Sequence, residues 1–434
     1  MKTQALQRLF GVALVAHVVA NWHQPDLPTL IGFLELLVGV LGIVLVLRPA
    51  VLVLQIAAGA TIASVIAEIP RTGNHWFLAG LASLIILFTR GEITAAGLRW
   101  LLLVFYSFAA FAKLNAGFFD PETSCAVFYA NQSLNSWGLL TISSQSLAAL
   151  GAIWVTAAVE LSMVPLLVWR RTRWLAVVLG TLFHGLISLD LDQHFYDFTA
   201  VLIFLFAAFI PDAGWENYRP SWRFLAIKWV AASVAFALVV LSVLPPTERS
   251  VQILSAVPFL LWVPFLFLWS RVVFKGWPIS PLAWRLTPAA ATIVALAFLN
   301  GLTPYTELKT AYSFNMYSNL LTAQGTTNHF IVPQTVPLRD GYESPVEILE
   351  TSDPGLDLYR ERGYLIAFPQ FLRYLVDRSV SVTYVRDGLL TTVDDTQSVE
   401  DLATSGPWWW RFMPLRALDQ QSPPRCQDVF LPAL

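Results

Sequence analysis

Residues 100–119, WLLLVFYSFAAFAKLNAGFF, form an apolar run that contains one cation, Lys113. Read as a helix, twenty residues are enough to cross the hydrocarbon core of a bilayer. An ammonium held there costs at least ~3 kcal/mol on insertion scales. A low dielectric disfavours a charged amine, and a neutral amine is a base. The other reading is that Lys113 lies near the end of its span and reaches the membrane surface along its alkyl stem. Helical spacing sets Ala109 and Ala110 one turn before Lys113, and Tyr106 two turns before. The face beside the amine is therefore small and aromatic, open to a flat ligand or to a second helix. Because the amine is one that a bilayer penalises, removing it is expected to leave stability unchanged or slightly raised.

Two imidazoles belong beside it. His75, preceded by Asn74, opens an apolar stretch, and His184 lies six residues before Asp190 near the end of another. An imidazole can orient and activate an amine by hydrogen bonding, and Asn74 can anchor either group. Gly180 and Ser188 share a helical face with His184. Taken singly, His184 also reads as an interior histidine bonded to a carbonyl, and His75 as an interfacial residue. Glu35, Glu68 and Glu160 also fall in or at the ends of apolar stretches, where ion pairing or helix–helix bonding is the simpler reading.

The elements that must position these groups are membrane helices. The chain has 434 residues, is 56% hydrophobic and 13% charged, and has a mean hydropathy of +0.60, where a soluble domain carries roughly 25% charge. Hydropathy outlines about eleven spans, at 5–22, 29–47, 50–69, 75–89, 99–119, 146–169, 174–190, 195–211, 222–244, 251–270 and 284–300. The first reads as a retained span, since no small-residue cleavage site follows it. With the N-terminus in the cytoplasm, the inner ends and loops hold thirteen Lys and Arg residues, against Arg71 and Arg249 on the short outer loops. This asymmetry predicts an integral cell-membrane protein with its C-terminal part outside. Lys113, His75 and His184 then fall at similar depth in the outer half of the membrane. No basic run suggests nucleic acid. With two cysteines and no C-x-x-C, neither a zinc site nor a dithiol relay is expected, and no metal is assigned.

After Asn300 the chain turns polar and Gly/Pro-punctuated, which predicts a bundle over 1–300 and a small α+β domain over 301–434. Residues 329–333 and 345–350 read as strands, 363–377 as a short amphipathic helix, and 379–393 as a hairpin about Asp387-Gly388. The Trp408-Trp409-Trp410 run suits either the headgroup layer or packing against the bundle. Cys125 and Cys426 both fall outside on this topology, in a compartment where thiols oxidise, and a disulfide between them is expected.

Asn74-His75, then Phe111-Ala112-Lys113-Leu114-Asn115, then Phe183-His184, occur in this order along the chain. Together with residues 300–320 and 328–333, they resemble the membrane part of the vitamin K-dependent γ-glutamyl carboxylases and the broader HTTM membrane family that contains them. The resemblance covers most of the chain. It implies that Lys113 is the base that deprotonates a vitamin K or menaquinol-type hydroquinone, that His75 and Asn74 assist it, and that His184, with Tyr106 on the amine's face, lines the quinone pocket. It further implies lipid and a lipid-soluble quinone as partners. Oxygen would be consumed in forming the epoxide, and carbon dioxide and a peptide glutamate would be used if carboxylation is coupled. A non-catalytic membrane assembly or lipid-binding protein of the same family is the alternative. An inverted-repeat transporter is not indicated, because interrupted short spans are not evident.

Overall fold

Apolar stretches this long bury their backbone polar groups only as helices, and the computed structural model follows that rule. It describes residues 2–22, 29–216, 222–277, 279–376, 378–403 and 406–427. The chain is mainly helical. The bundle is built from α1 (Lys2–Ala20), α2 (Leu30–Leu47), α3 (Val51–Glu68), α4 (Asn74–Phe88), α5 (Gly91–Ala112), the short α6 (Ala116–Phe119), α7 (Cys125–Ser136), α8 (Leu147–Val168), α9 (Arg173–Ile187), α10 (Tyr196–Ala207), the short α11 (Asp212–Glu216), α12 (Trp222–Ser242), α13 (Glu248–Phe274) and α14 (Pro288–Leu302). Each of the eleven apolar stretches overlaps one of these helices. Among the described residues, seven helices are long and apolar enough to cross a membrane, and four further apolar helices are shorter.

α5 and α10 form the centre, packed against α1, α4, α8, α9 and α14. Small residues set the closest approaches. A Cβ on Gly11 would come within 2.5 Å of the Gly42 carbonyl oxygen, and one on Gly42 within 2.8 Å of the Gly11 carbonyl oxygen, so the α1 and α2 backbones touch.

α5 departs from the sequence expectation at both ends. It begins eight residues before 99 and stops at Ala112, with Lys113 as its C-cap, instead of running on to 119. The cause is Asn115, whose side-chain oxygen accepts the Phe118 N–H at 2.9 Å and starts α6. Arg99, expected as the cytoplasmic end of its span, is instead fully buried within α5, where it donates to the Ala208 carbonyl at 3.0 Å and to Glu92 at 3.1 Å.

Residues 303–320 pack into the bundle, with Phe314 and Met316 part of its main core. Beyond them β1 (Thr322–Ala323) pairs with β2 (Thr326–Thr327). The sheet near the C-terminus comprises β3 (Val346–Thr351), β4 (Tyr364–Ile366), β5 (Val382–Arg386), β6 (Leu389–Val393) and β7 (Leu418–Asp419), in the order β6-β5-β3-β4-β7 and antiparallel throughout. It carries α15 (Pro354–Arg362) and α16 (Phe368–Leu375). The hairpin forms where Asp387-Gly388 placed it, with positive φ at both turn residues and Arg386 opposite Leu389. The stretch 329–333 is not a strand. His329 makes a single bridge to Asn115, and its Nδ1 accepts the Ile331 and Val332 N–H groups, which folds the chain into a turn. The 363–377 stretch divides into β4 and α16, because Pro369 suits the first turn of a helix and not its interior. Trp410 packs against the sheet core, Arg411 binds the Ile66 and Ile69 carbonyls at the end of α3, and Trp408 is exposed.

The Cys125–Cys426 disulfide is present, with an S–S distance of 2.11 Å. It joins the N-terminus of α7 to the segment that follows the sheet.

Candidate functional site

Because α5 ends at Lys113, the amine leaves the helix where the chain turns. Lys113 Nζ lies 2.8 Å from Glu160 Oε2 on α8 and donates to the carbonyls of Met316 at 3.2 Å and Ala109 at 3.4 Å. Both partners of the pair are buried. Desolvating two charges is costly, so each depends on the other to remain at this depth. The Met316 carbonyl is supplied by the 303–320 segment, which Asn74 fixes by accepting the Phe314 N–H at 2.7 Å.

One helical turn towards the N-terminus from Ala109 along α5, the Tyr106 hydroxyl meets His184 Nε2 of α9 at 2.7 Å. The other nitrogen of His184 makes no hydrogen bond. Phe198 stands edge-on to the His184 ring, with centroids 5.1 Å apart and planes at 90°. The His184 carbonyl accepts the Thr199 hydroxyl at 3.0 Å, which ties α9 to α10.

These two polar pairs share the wall of a cavity of about 530 Å³. Most of the rest of its lining is apolar and aromatic, including Phe105, Phe118, Tyr129, Phe183, Phe195, Phe198 and Tyr317, with Ser133, Thr156 and Asp190 as further polar residues. Asp190 is a buried member of that lining. It holds the α9–α10 turn by accepting the Asp192 and Gln193 N–H groups, and it accepts the Ser133 hydroxyl from α7. The volume and lining suit a small-molecule site, in which a few polar groups orient a mostly apolar ligand.

The structure therefore brings together Lys113, Tyr106 and His184. It does not bring His75 to them. His75 is in the first turn of α4, with Nε2 2.7 Å from Asp197 Oδ2, and the Phe198 ring lies 6.0 Å from it. Phe198 thus separates His75 from His184. Asn74 reaches neither the amine nor the imidazole, and acts through the backbone it anchors.

Three groups were not assigned from the sequence. Glu160 was visible in its span, but so were Glu35 and Glu68, and only the packing of α8 on α5 selects it. His17 and Asp197 lie with His75, Glu35 and Glu68 in a second polar cluster at the meeting of α1, α4 and α10. The signal for that cluster was the depth argument itself, since His17 and Glu68 lie near the C-terminal ends of α1 and α3 as His184 does in α9.

No family model matches the chain, and neither does any curated protein or solved structure.

Proposed function

We propose that this chain is an integral membrane enzyme of the vitamin K-dependent carboxylase type, within the HTTM family it resembles, and that it oxidises a vitamin K or menaquinone-type hydroquinone to the epoxide. In this reading all eleven apolar helices span the membrane, with the N-terminus in the cytoplasm and the C-terminal domain outside. The observation that carries it is the apolar, aromatic cavity whose wall holds both the Lys113–Glu160 pair and the Tyr106–His184 pair.

Bound there, a hydroquinone would give two hydroxyl protons and four electrons to O2, two from its oxidation to the quinone and two from the ring double bond that becomes the epoxide, so that one oxygen atom ends in the epoxide and the other in water. Lys113 Nζ and Glu160 Oε2 stand 2.8 Å apart on the cavity wall, which puts both within reach of one ligand hydroxyl, and its proton is given to this pair. The Lys113 amine is the member the resemblance names as base. Tyr106 fixes the His184 ring, and the free Nδ1 of that ring is available to a ligand oxygen. The phenylalanine lining excludes water and so strengthens each of these polar contacts.

Purified protein given vitamin K hydroquinone or a menaquinol under oxygen should form epoxide, measured by chromatography, and Lys113→Ala should lower the rate by ~10²–10⁴. Lys113→Arg should not restore it, because a guanidinium stays protonated. A wild-type protein that forms no epoxide would sink the reading. Carboxylation is the coupled step the resemblance brings, and incorporation of labelled bicarbonate into a glutamate peptide tests it.

One observation favours the non-catalytic alternative, an assembly or lipid-binding protein of the same family. The Lys113 ammonium already meets Glu160, Met316 and Ala109, so it also serves as a clamp between α5, α8 and the 303–320 segment. In that case Lys113→Ala changes stability while no epoxide is formed by either protein.

A further inference from the structure

His17 is buried near the C-terminal end of α1, and neither of its ring nitrogens makes a hydrogen bond. Leaving a buried polar group unsatisfied costs on the order of 1–3 kcal/mol. The ring is nevertheless held in one orientation, flat on Trp76, with centroids 3.5 Å apart and planes 10° from parallel. Each nitrogen faces a carboxylate that stands too far off for a good bond. Nε2 is 3.5 Å from Glu68 Oε1, and Nδ1 is 3.9 Å from Asp197 Oδ2. On the other side of Asp197, His75 Nε2 approaches the same oxygen at 2.7 Å. Donor atoms of His17, His75 and Asp197 all lie within 4.8 Å of one another.

We propose that His17, His75 and Asp197 bind a divalent first-row transition-metal ion. Two imidazoles and one carboxylate, presented by α1, α4 and α10, are a donor set suited to Zn²⁺ or Fe²⁺. Bonds of about 2.0–2.2 Å place the ion between the three donors once the His75–Asp197 contact opens and the 3.9 Å gap to His17 closes.

The surroundings agree with such a site. A metal-bound histidine usually donates its second N–H to a carboxylate. His17 Nε2 points at Glu68, which is itself held by the Trp76 indole N–H at 2.8 Å and by the Ser64 hydroxyl. Among the described residues, neither Glu68 nor Asp197 meets a lysine or arginine, so a dication supplies the compensating charge. The His17 side chain is 5% exposed, whereas His75 and Asp197 are 17% and 14% exposed. The site is thus closed behind His17 and open on the opposite side, where water or another ligand completes the coordination. Glu35 and Glu68 offer the same imidazole a second grouping. There Glu35 already accepts from Asn21, and Glu68 from Trp76 and Ser64, which makes them supports for His17. The cysteine count spoke against a zinc site, but this donor set contains no thiolate and does not depend on it. The proposal does not rest on the quinol reaction.

The full-length protein, purified without chelator, should carry roughly one equivalent of transition metal by elemental analysis. Stripped and reloaded with Co²⁺, it should show the visible ligand-field bands of a low-coordinate site. His17→Gln and Asp197→Asn, each checked for monodisperse behaviour and an intact disulfide, should lose metal affinity by about 10-fold or more. His184→Ala, in the neighbouring cavity, should keep the metal. A wild-type protein that neither carries metal nor takes up Co²⁺ overturns the proposal. Variants at His17 and Asp197 that both retain wild-type metal also overturn it, since the metal would then lie elsewhere.

Discussion

At the scale of single residues, the pairing of Lys113 with Glu160 changes what a substitution should do. Sequence alone treated Lys113 as an isolated amine whose removal would leave stability unchanged or slightly raised. With Glu160 Oε2 at 2.8 Å, Lys113→Ala leaves a buried carboxylate without its cation, and breaking one side of such a pair costs about 3–5 kcal/mol. Glu160→Gln should cost a similar amount from the other side. Replacing both, as Lys113→Met with Glu160→Leu, should recover most of the loss, because well-packed apolar residues often substitute for a buried pair without penalty. Thermal unfolding in detergent of Lys113→Met, Glu160→Leu and the two combined, read as a double-mutant cycle, checks this. Strictly additive losses would show that the two groups do not depend on each other. Lys113, Tyr106 and His184 were legible because chemistry-bearing side chains stand out in apolar runs. Glu160 was not, because nothing in one sequence says which of three glutamates a lysine faces. His75 was misdirected because equal depth fixes height in the membrane and not the side of a helix, and Phe198 stands between.

At the scale of elements, the period and length of the apolar stretches located the helices, and Asp387-Gly388 located a hairpin. The ends were less legible. α5 runs from Gly91 to Ala112 because Asn115 intervenes, and only the fold shows why that residue is decisive. Asn115 is fully buried. Its oxygen caps α6, and its amide nitrogen donates to the carbonyls of Ala112 at 2.7 Å and of Ser318. It thus stops α5 at the lysine and fastens the turn to the 303–320 segment. Asn115→Ala removes the cap and leaves those carbonyls short of a donor, at about 1–3 kcal/mol for each group left unsatisfied. Asn115→Asp keeps the acceptor for Phe118 but loses both donations. Hydrogen exchange over residues 112–118 should rise in both variants, more in the alanine one, with a lower unfolding temperature. Wild-type exchange in Asn115→Ala would mean that α5 ends for another reason and that Lys113 is positioned by Glu160 and the Met316 and Ala109 carbonyls without Asn115.

At the scale of the whole molecule, the disulfide closes a loop of 301 residues and links the C-terminal segment to the first turn of α7, whose Cys125 lines the cavity. An entropy model gives such a closure roughly 5 kcal/mol as an upper figure, since the reduced chain stays compact. Hydrogen bonds hold the same junction without the sulfurs. Asn319 accepts the Cys125 N–H at 2.8 Å and donates to the carbonyls of Thr123 and Pro424, while the Cys426 N–H donates to Thr123 at 2.9 Å. Cys426→Ser should therefore lower the unfolding temperature while leaving the cavity in place, and Asn319→Ala combined with it should release the segment. The proposed orientation makes a stricter demand. A disulfide persists in an oxidising compartment and is rare in the cytosol, so the C-terminal segment must lie outside if the bond forms in the cell. The chain end at Leu434 lies outside the described residues, but a reporter fused there should be active only on the outer side, and one fused in the loop at Arg170 and Arg171 only on the inner. Mass spectrometry of unreduced protein should show Cys125 and Cys426 linked in the same preparation. Two separately alkylated thiols together with a cytoplasmic reporter signal would reverse the orientation. Lys113 and His184 would then lie towards the inner leaflet, and a quinol would have to reach them from that side.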